Sequence, residues 1–115
     1  MGDIVTTPDG PATPVGIEQA VSTLSAVREA AAVGIGPAGT QQLVVVAVPV
    51  AHLRRPDLAD EALADRVRAT TGREVAAVLV TPSLPVDQRH NSKIDRPRIA
   101  RWAEGILAGG RIGPI

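Results

Sequence analysis

Cysteine is absent from the 115 residues, which excludes disulfides, zinc–thiolate sites and thiol nucleophiles together. Phenylalanine and tyrosine are absent too, and Trp102 is the single aromatic residue, so there is no platform for stacking on bases. The charge balance agrees with this. Twelve basic and 12 acidic residues give a formal net charge of zero, without the basic footprint that nucleic acid or an anionic membrane requires. Histidine occurs only as His52 and His90, too few for a histidine-rich metal site, so no metal ligands are assigned in this chain. No apolar run approaches the roughly 18 residues of a membrane span, and the N-terminus lacks a basic region followed by an apolar one. The expectation is a cytoplasmic protein with no transmembrane segment and no nucleic-acid partner. Met1-Gly2-Asp3-Ile4-Val5-Thr6 fits the loose N-myristoylation pattern, but no polybasic stretch supports it and the match is read as chance.

Lysine is almost absent as well. Lys93 is the only one among 12 basic residues, the others all being arginine. An ammonium is a compact point donor on a flexible stem, which a planar guanidinium does not imitate, so a lone lysine in an arginine-rich chain points to a need for lysine itself. It lies in Leu84-Pro-Val-Asp-Gln-Arg-His-Asn-Ser-Lys-Ile-Asp-Arg96, a polar loop between Pro85, read as stopping a strand, and Pro97, where a helix can begin. The exposed N–H groups of such a helix start favour anions. A solvent-exposed lysine in an ordinary strand-to-helix connection accounts for the same residues, and residue content alone does not separate the two.

The chain is long enough for one domain with its own core. Residues 1–16 are rich in Gly, Pro and Thr, and Pro8-Asp9-Gly10 is a strong turn signal; they read as half of a hairpin or as a loose tail. Ile17, Ala20, Val21 and Leu24 then recur with helical spacing. Glu29 to Ile35 reads as a strand, with its alanines keeping helix in competition, and Gly36-Pro37-Ala38-Gly39 breaks the chain. Leu43 to Val50, mostly β-branched and apolar on both faces, belongs in the middle of a sheet. A helix follows, with Asp57 as its cap and Leu58, Ala62, Leu63 and Val67 as its apolar face; Gly72 ends it. Val75 to Val80 is a third strand, and a last helix runs from about Pro97 with Ile99, Ala103, Ile106 and Leu107 inward, to Gly109-Gly110. The fold class is α+β: a small three-stranded sheet covered by helices, with or without an N-terminal β-hairpin.

The common catalytic patterns are weak here. Ser92, His90 and Asp87 lie too close together in one loop to converge as nucleophile, base and orienter. Asp57 and Asp60 are better explained as a helix start than as an acid/base pair. Gly34-Ile35-Gly36 with Gly39 spells a dinucleotide-type glycine pattern, yet it opens no helix. Arg54-Arg55 reads as solvated. His90 and Asn91 could bind a ligand or only hold the loop together.

The loop and the order of elements resemble a known family. Asn91-Ser92-Lys93-Ile94-Asp95-Arg96 is similar to the Asn-Gly-Lys-Val-Asp-Arg type motif near the C-terminus of adenylate-forming enzymes, the group of acyl-CoA ligases and peptide-synthetase adenylation domains. Ile17-Glu18-Gln19-Ala20-Val21 and Ala26-Val27-Arg28-Glu29-Ala30-Ala31-Ala32-Val33-Gly34 resemble the family passage in the helix and strand of the small C-terminal domain. The resemblance covers about residues 15 to 107. Two departures stand out: Ser92 replaces the usual glycine and restricts the backbone, and the eight residues from Pro85 to Lys93 exceed the usual acyl-CoA ligase spacing. That longer form, carried by Pro85, Val86, Asp87, Arg89, His90, Asn91, Lys93 and Ile94, resembles the β-lactone synthetase branch of bacterial olefin and β-lactone biosynthesis.

The resemblance implies a large N-terminal domain that binds ATP, Mg²⁺ and a carboxylic acid, and a small domain whose lysine enters the cleft. Carried onto this chain, Lys93 is the catalytic residue, with Arg89, His90, Asn91 and Ser92 as the nucleotide- or substrate-binding loop. In the β-lactone branch the acid is a long-chain β-hydroxy acid, activated as the acyl-AMP and closed to a lactone without coenzyme A. An ordinary fatty acyl-CoA or acyl-AMP ligase is the alternative within the class, and a stand-alone, non-catalytic interaction module the alternative outside it. This chain has no Gly/Ser/Thr-rich phosphate loop. It therefore reads as the lysine-bearing C-terminal domain, residues 17–115, preceded by a truncated hairpin or linker over 1–16, able to fold alone but inactive in adenylation.

Overall fold

The computed structural model of the chain describes residues 5–7, 10–37, 39–86 and 94–115. It begins with a short antiparallel hairpin, β1 (Val5–Thr7) with β2 (Gly10–Ala12), Val5 lying opposite Ala12. The sequence suggested half of a hairpin or a loose tail; both strands of a hairpin lie within residues 5–12. Val5 is buried and lies directly over Gly34 of the next strand, where an added Cβ would come within 2.5 Å of Val5 Cγ1. Only a residue without a side chain permits that approach.

Helix α1 (Pro14–Ser22) starts on a proline, whose missing N–H is no loss in a first turn, and buries Ile17 and Val21. Leu24 was expected on the same helical face. It follows the helix instead and packs into the core from the connecting turn.

Strand β3 (Val27–Ile35) and strand β4 (Gln42–Pro49) pair antiparallel, with Ala30 opposite Ala47 and Val33 opposite Val44. Helix was a competitor at Ala30 to Ala32. Burial decides for strand: Ala31 and Ala32 are completely buried, and both α1 and the last helix of the chain make most of their contacts with β3. Small side chains at these positions let two helices approach one strand from its two faces. The glycines from Gly34 to Gly39 belong to the end of β3 and its turn into β4, and open no helix.

After β4, the two-residue strand β5 (Asp57–Leu58) precedes helix α2 (Glu61–Thr71), which crosses over to strand β6 (Ala77–Val80). Strand β6 is parallel to β4, with Val44 opposite Ala77 and Ala47 opposite Val80. The sheet order is β3-β4-β6-β5. The three long strands are those expected; β5 is a fourth, placed antiparallel on the outer side of β6. It lies where the helix start was expected, so two assignments change. Asp60, not Asp57, is the helix cap, its Oδ1 accepting from the Leu63 N–H at 2.8 Å. Leu58 is exposed, and Ala64 rather than Ala62 joins Leu63 and Val67 on the buried side. Gly72 ends α2 in the left-handed conformation at φ 64°, as its place after the last apolar residue implied.

Helix α3 (Arg96–Leu107) covers the opposite face. The alternation along β4 divides the core: Leu43, Val45 and Ala47 pack with α1 and α2, whereas Val44, Val46 and Val48 pack with Ile99 and Ala103 of α3. Each fully buried aliphatic side chain contributes roughly 1.5–3 kcal/mol. Leu107 is more exposed than its expected inward position required.

Candidate functional site

The stretch that carries the lysine is anchored at both ends. Strand β6 stops at Val80, five residues before the proline expected to stop it. The next residue, Thr81, is buried; its N–H donates to the Ala47 carbonyl at 3.0 Å and its hydroxyl donates to the Ser83 carbonyl at 3.0 Å. Leu84 then inserts into the core beneath α3. Val86 and Ile94 form an antiparallel bridge, and the Asp95 N–H donates to the Pro85 carbonyl at 2.9 Å. Residues 86 and 94 thus stand side by side at the base of the segment between them.

Lys93, Arg89, His90, Asn91 and Ser92, together with Asp87, lie outside the described residues. The structure locates the ends of their segment. Asp95 caps α3, its Oδ1 accepting from the Arg98 N–H at 3.2 Å, and the first turn carries the expected proline.

Arg96, the first residue of α3, reaches across the outer edge of β3 to Glu18 of α1. Arg96 Nε donates to Glu18 Oε2 at 3.0 Å and Nη2 donates to Oε1 at 2.5 Å, a two-pronged carboxylate contact. Glu18 Oε2 also accepts from the Ala32 N–H at 2.8 Å. Because β3 ends the strand order, that N–H has no partner strand, and the carboxylate takes its place.

Beside Pro85 lies a cavity of about 480 Å³, lined among others by Arg54, Arg55, Thr81, Ser83 and Arg98. Guanidinium groups on its wall favour an anionic occupant. Arg98 is also engaged with the Ile115 carbonyl, to which its Nη2 donates at 2.8 Å.

No protein-family profile matches the chain. In sequence it is similar to the olefin β-lactone synthetase of Stenotrophomonas maltophilia, 36% identical over an alignment of 108 residues that covers 90% of this chain and 19% of that protein. The chain therefore spans about a fifth of the curated relative it matches. Among solved structures, an acyl-CoA synthetase from Brucella canis superposes with TM-score 0.72 at 18% identity, covering 93% of this chain and 20% of that one. An amide bond synthetase from Marinactinospora thermotolerans gives TM-score 0.68 at 21% identity, covering 87% and 20%. The fold is that of the C-terminal domain of adenylate-forming enzymes. The expected α+β class and the resemblance behind it both hold.

Among the described residues, no group of three or more His, Cys, Asp or Glu could hold a metal ion. No helix among them is long and apolar enough to cross a membrane.

Glu18 and Arg96, to which the sequence alone assigns no role, form a polar link between the helix layers. A signal for Glu18 was present. It sits between Ile17 and Val21 on the buried stripe of α1, and a carboxylate in such a stripe calls for a donor, because an unpaired buried charge is costly. What the sequence does not disclose is which of many arginines supplies the donor.

Proposed function

We propose that this chain is the lysine-bearing C-terminal domain, residues 17–115 with a hairpin or linker before it, of an ATP-dependent ligase that converts a carboxylic acid to its acyl-AMP. The substrate in this reading is a long-chain β-hydroxy acid and the enzyme a β-lactone synthetase. The observation that carries it is the 36% identity to an olefin β-lactone synthetase across 90% of the chain. The long spacing from Pro85 to Lys93 supports the same branch.

In the reaction the carboxylate oxygen attacks the α-phosphorus of ATP and pyrophosphate leaves. The β-hydroxyl of the acyl-AMP then attacks its own carbonyl carbon, AMP leaves, the hydroxyl proton passes to solvent, and a four-membered lactone closes. The first step brings two anions together, and Lys93 supplies the cation between the substrate carboxylate and the α-phosphate. Arg89, His90, Asn91 and Ser92 form the surrounding nucleotide- and substrate-binding loop. The partner is a large N-terminal domain of the same protein, which holds ATP and Mg²⁺, so the 115 residues alone have no adenylation activity. A second reading, a fatty acyl-CoA or acyl-AMP ligase, is favoured by the acyl-CoA synthetase among the structural neighbours.

The test is the full-length protein carrying this chain, given ATP, Mg²⁺ and a long-chain β-hydroxy acid without coenzyme A. AMP and a β-lactone are the expected products, and Lys93→Ala is expected to lower the rate by about 10²–10³. AMP and a thioester formed only with coenzyme A would replace the proposal by the second reading. No ATP turnover with any acid would leave a non-catalytic interaction module.

A further inference from the structure

We propose that Glu18 and Arg96 are a positioning pair for Lys93, holding the start of α3, and with it the C-terminal end of the lysine segment, in one orientation against the sheet. This rests on the reading of Lys93 as the adenylation lysine.

Three observations carry the inference. Arg96 stands three residues beyond Lys93, and the chain between them is pinned by the Val86–Ile94 bridge and by the Asp95 N–H on the Pro85 carbonyl. The guanidinium meets Glu18 through two donors, and Glu18 is itself tied to the backbone of β3 through the Ala32 N–H. A planar fork on a carboxylate that is held from behind fixes orientation as well as distance, which apolar packing of Ile99 and Ala103 farther along α3 does not. Finally, the pair is largely withdrawn from water, with Arg96 22% and Glu18 11% exposed. An apolar contact of the same size would join the layers with no desolvation cost, so stability alone is a poor reason for charges there.

The pair is tested in the full-length protein through AMP release, comparing wild type with Lys93→Ala, Glu18→Gln, Arg96→Lys, Arg96→Met and the double variant Glu18→Gln/Arg96→Met. Glu18→Gln keeps an oxygen for the Ala32 N–H and removes the charge; Arg96→Lys keeps the charge and removes the fork. Misplacement of a reacting group from a remote change costs up to about 10²-fold. Each of Glu18→Gln and Arg96→Met is therefore expected to lower kcat by about 10–10²-fold with KM for ATP and acid within about twofold, and Arg96→Lys to fall between them and wild type. The double variant is expected to be no slower than the slower single one, since both changes break the same carboxylate–guanidinium contact. Rates are taken below each variant's unfolding transition, followed by circular dichroism, so that a purely structural role leaves kcat unchanged.

Lys93 supplies a readout independent of turnover. As the only lysine it gives one side-chain resonance in the ¹³C-lysine-labelled 115-residue chain, expected to move in Arg96→Met and Glu18→Gln. Wild-type kcat in the pair variants beside an inactive Lys93→Ala overturns this inference and leaves the adenylation reading intact. An active Lys93→Ala overturns that reading, and an unmoved lysine resonance then overturns the positioning of Lys93 as well.

Discussion

The centre of the sheet and its β3 edge are held together in different ways. At the centre, β4 buries aliphatic side chains on both faces, and apolar side chains of α1, α2 and α3 pack against them. At the edge, α1 and α3 meet through a carboxylate and a guanidinium, and the N-terminal hairpin rests on a glycine. Burial is strong but non-directional, and a core accepts rearranged apolar side chains so long as volume is kept. The edge contacts are weaker and directional. The centre thus supplies stability, and the edge supplies the orientation of whatever follows it in the chain, which at Arg96 is the start of the helix behind the lysine segment.

Removing a side chain at the centre is the severest way to test this contrast. Ile99 is completely buried between α3 and the sheet. Ile99→Ala is expected to cost about 2–5 kcal/mol, through lost transfer energy and the cavity left behind. Chemical denaturation followed by Trp102 measures it. A loss below about 1 kcal/mol would mean that α3 is not held by burial and that the edge carries more of the attachment than the contrast allows.

A smaller effect is expected where the hairpin meets β3. Gly34→Ala places a methyl group 2.5 Å from Val5 Cγ1, 3.1 Å from Val5 Cγ2 and 3.2 Å from the Gln41 side chain. Overpacking of this kind typically costs about 1–3 kcal/mol. Because the obstruction is mainly one side chain, Val5→Ala is expected to relieve it: the double variant should be less destabilised than the sum of the two single ones. Strict additivity in the same denaturation measurement would show that the hairpin does not rest on Gly34.

The ease of reading the two regions from sequence follows the same division. Periodicity and β-branching mark Leu43 to Val50 as a central strand, and the spacing of Ile99, Ala103 and Ile106 marks α3, because burial leaves a repeating pattern. Directional contacts leave none. Glu18 and Arg96 are 78 residues apart, and nothing local in either segment names the other. Strand β5 was illegible for a related reason: two residues are too few for an alternating pattern, and its pairing with Val80 and Leu79 depends on where β6 lies. The lysine segment was found from the scarcity of lysine and from a family resemblance. Its two ends meet at the Val86–Ile94 bridge.

The edge opposite β3 offers the finest comparison, because two aspartates three residues apart obey the same capping rules in sequence and differ in structure. Asp60 accepts from the Leu63 N–H at 2.8 Å and so satisfies one of the free donors of α2; Asp57 accepts from the N–H of its neighbour Leu58 at 2.8 Å, in an exposed two-residue strand. Removing a helix cap costs about 1 kcal/mol, whereas surface substitutions away from such features stay within about 0.5 kcal/mol. Asp60→Ala is therefore expected to destabilise the protein by about 1 kcal/mol and Asp57→Ala by at most half of that, both read from denaturation midpoints at constant slope. The reverse order would place the start of α2 at Asp57, as the sequence alone suggested, and would remove β5 from the sheet. Equal effects would mean that β5 and the cap act as one unit, with Leu58 and Asp60 fastening the same turn. Only the expected order fits an edge strand that adds little stability and a helix whose first turn depends on a single carboxylate.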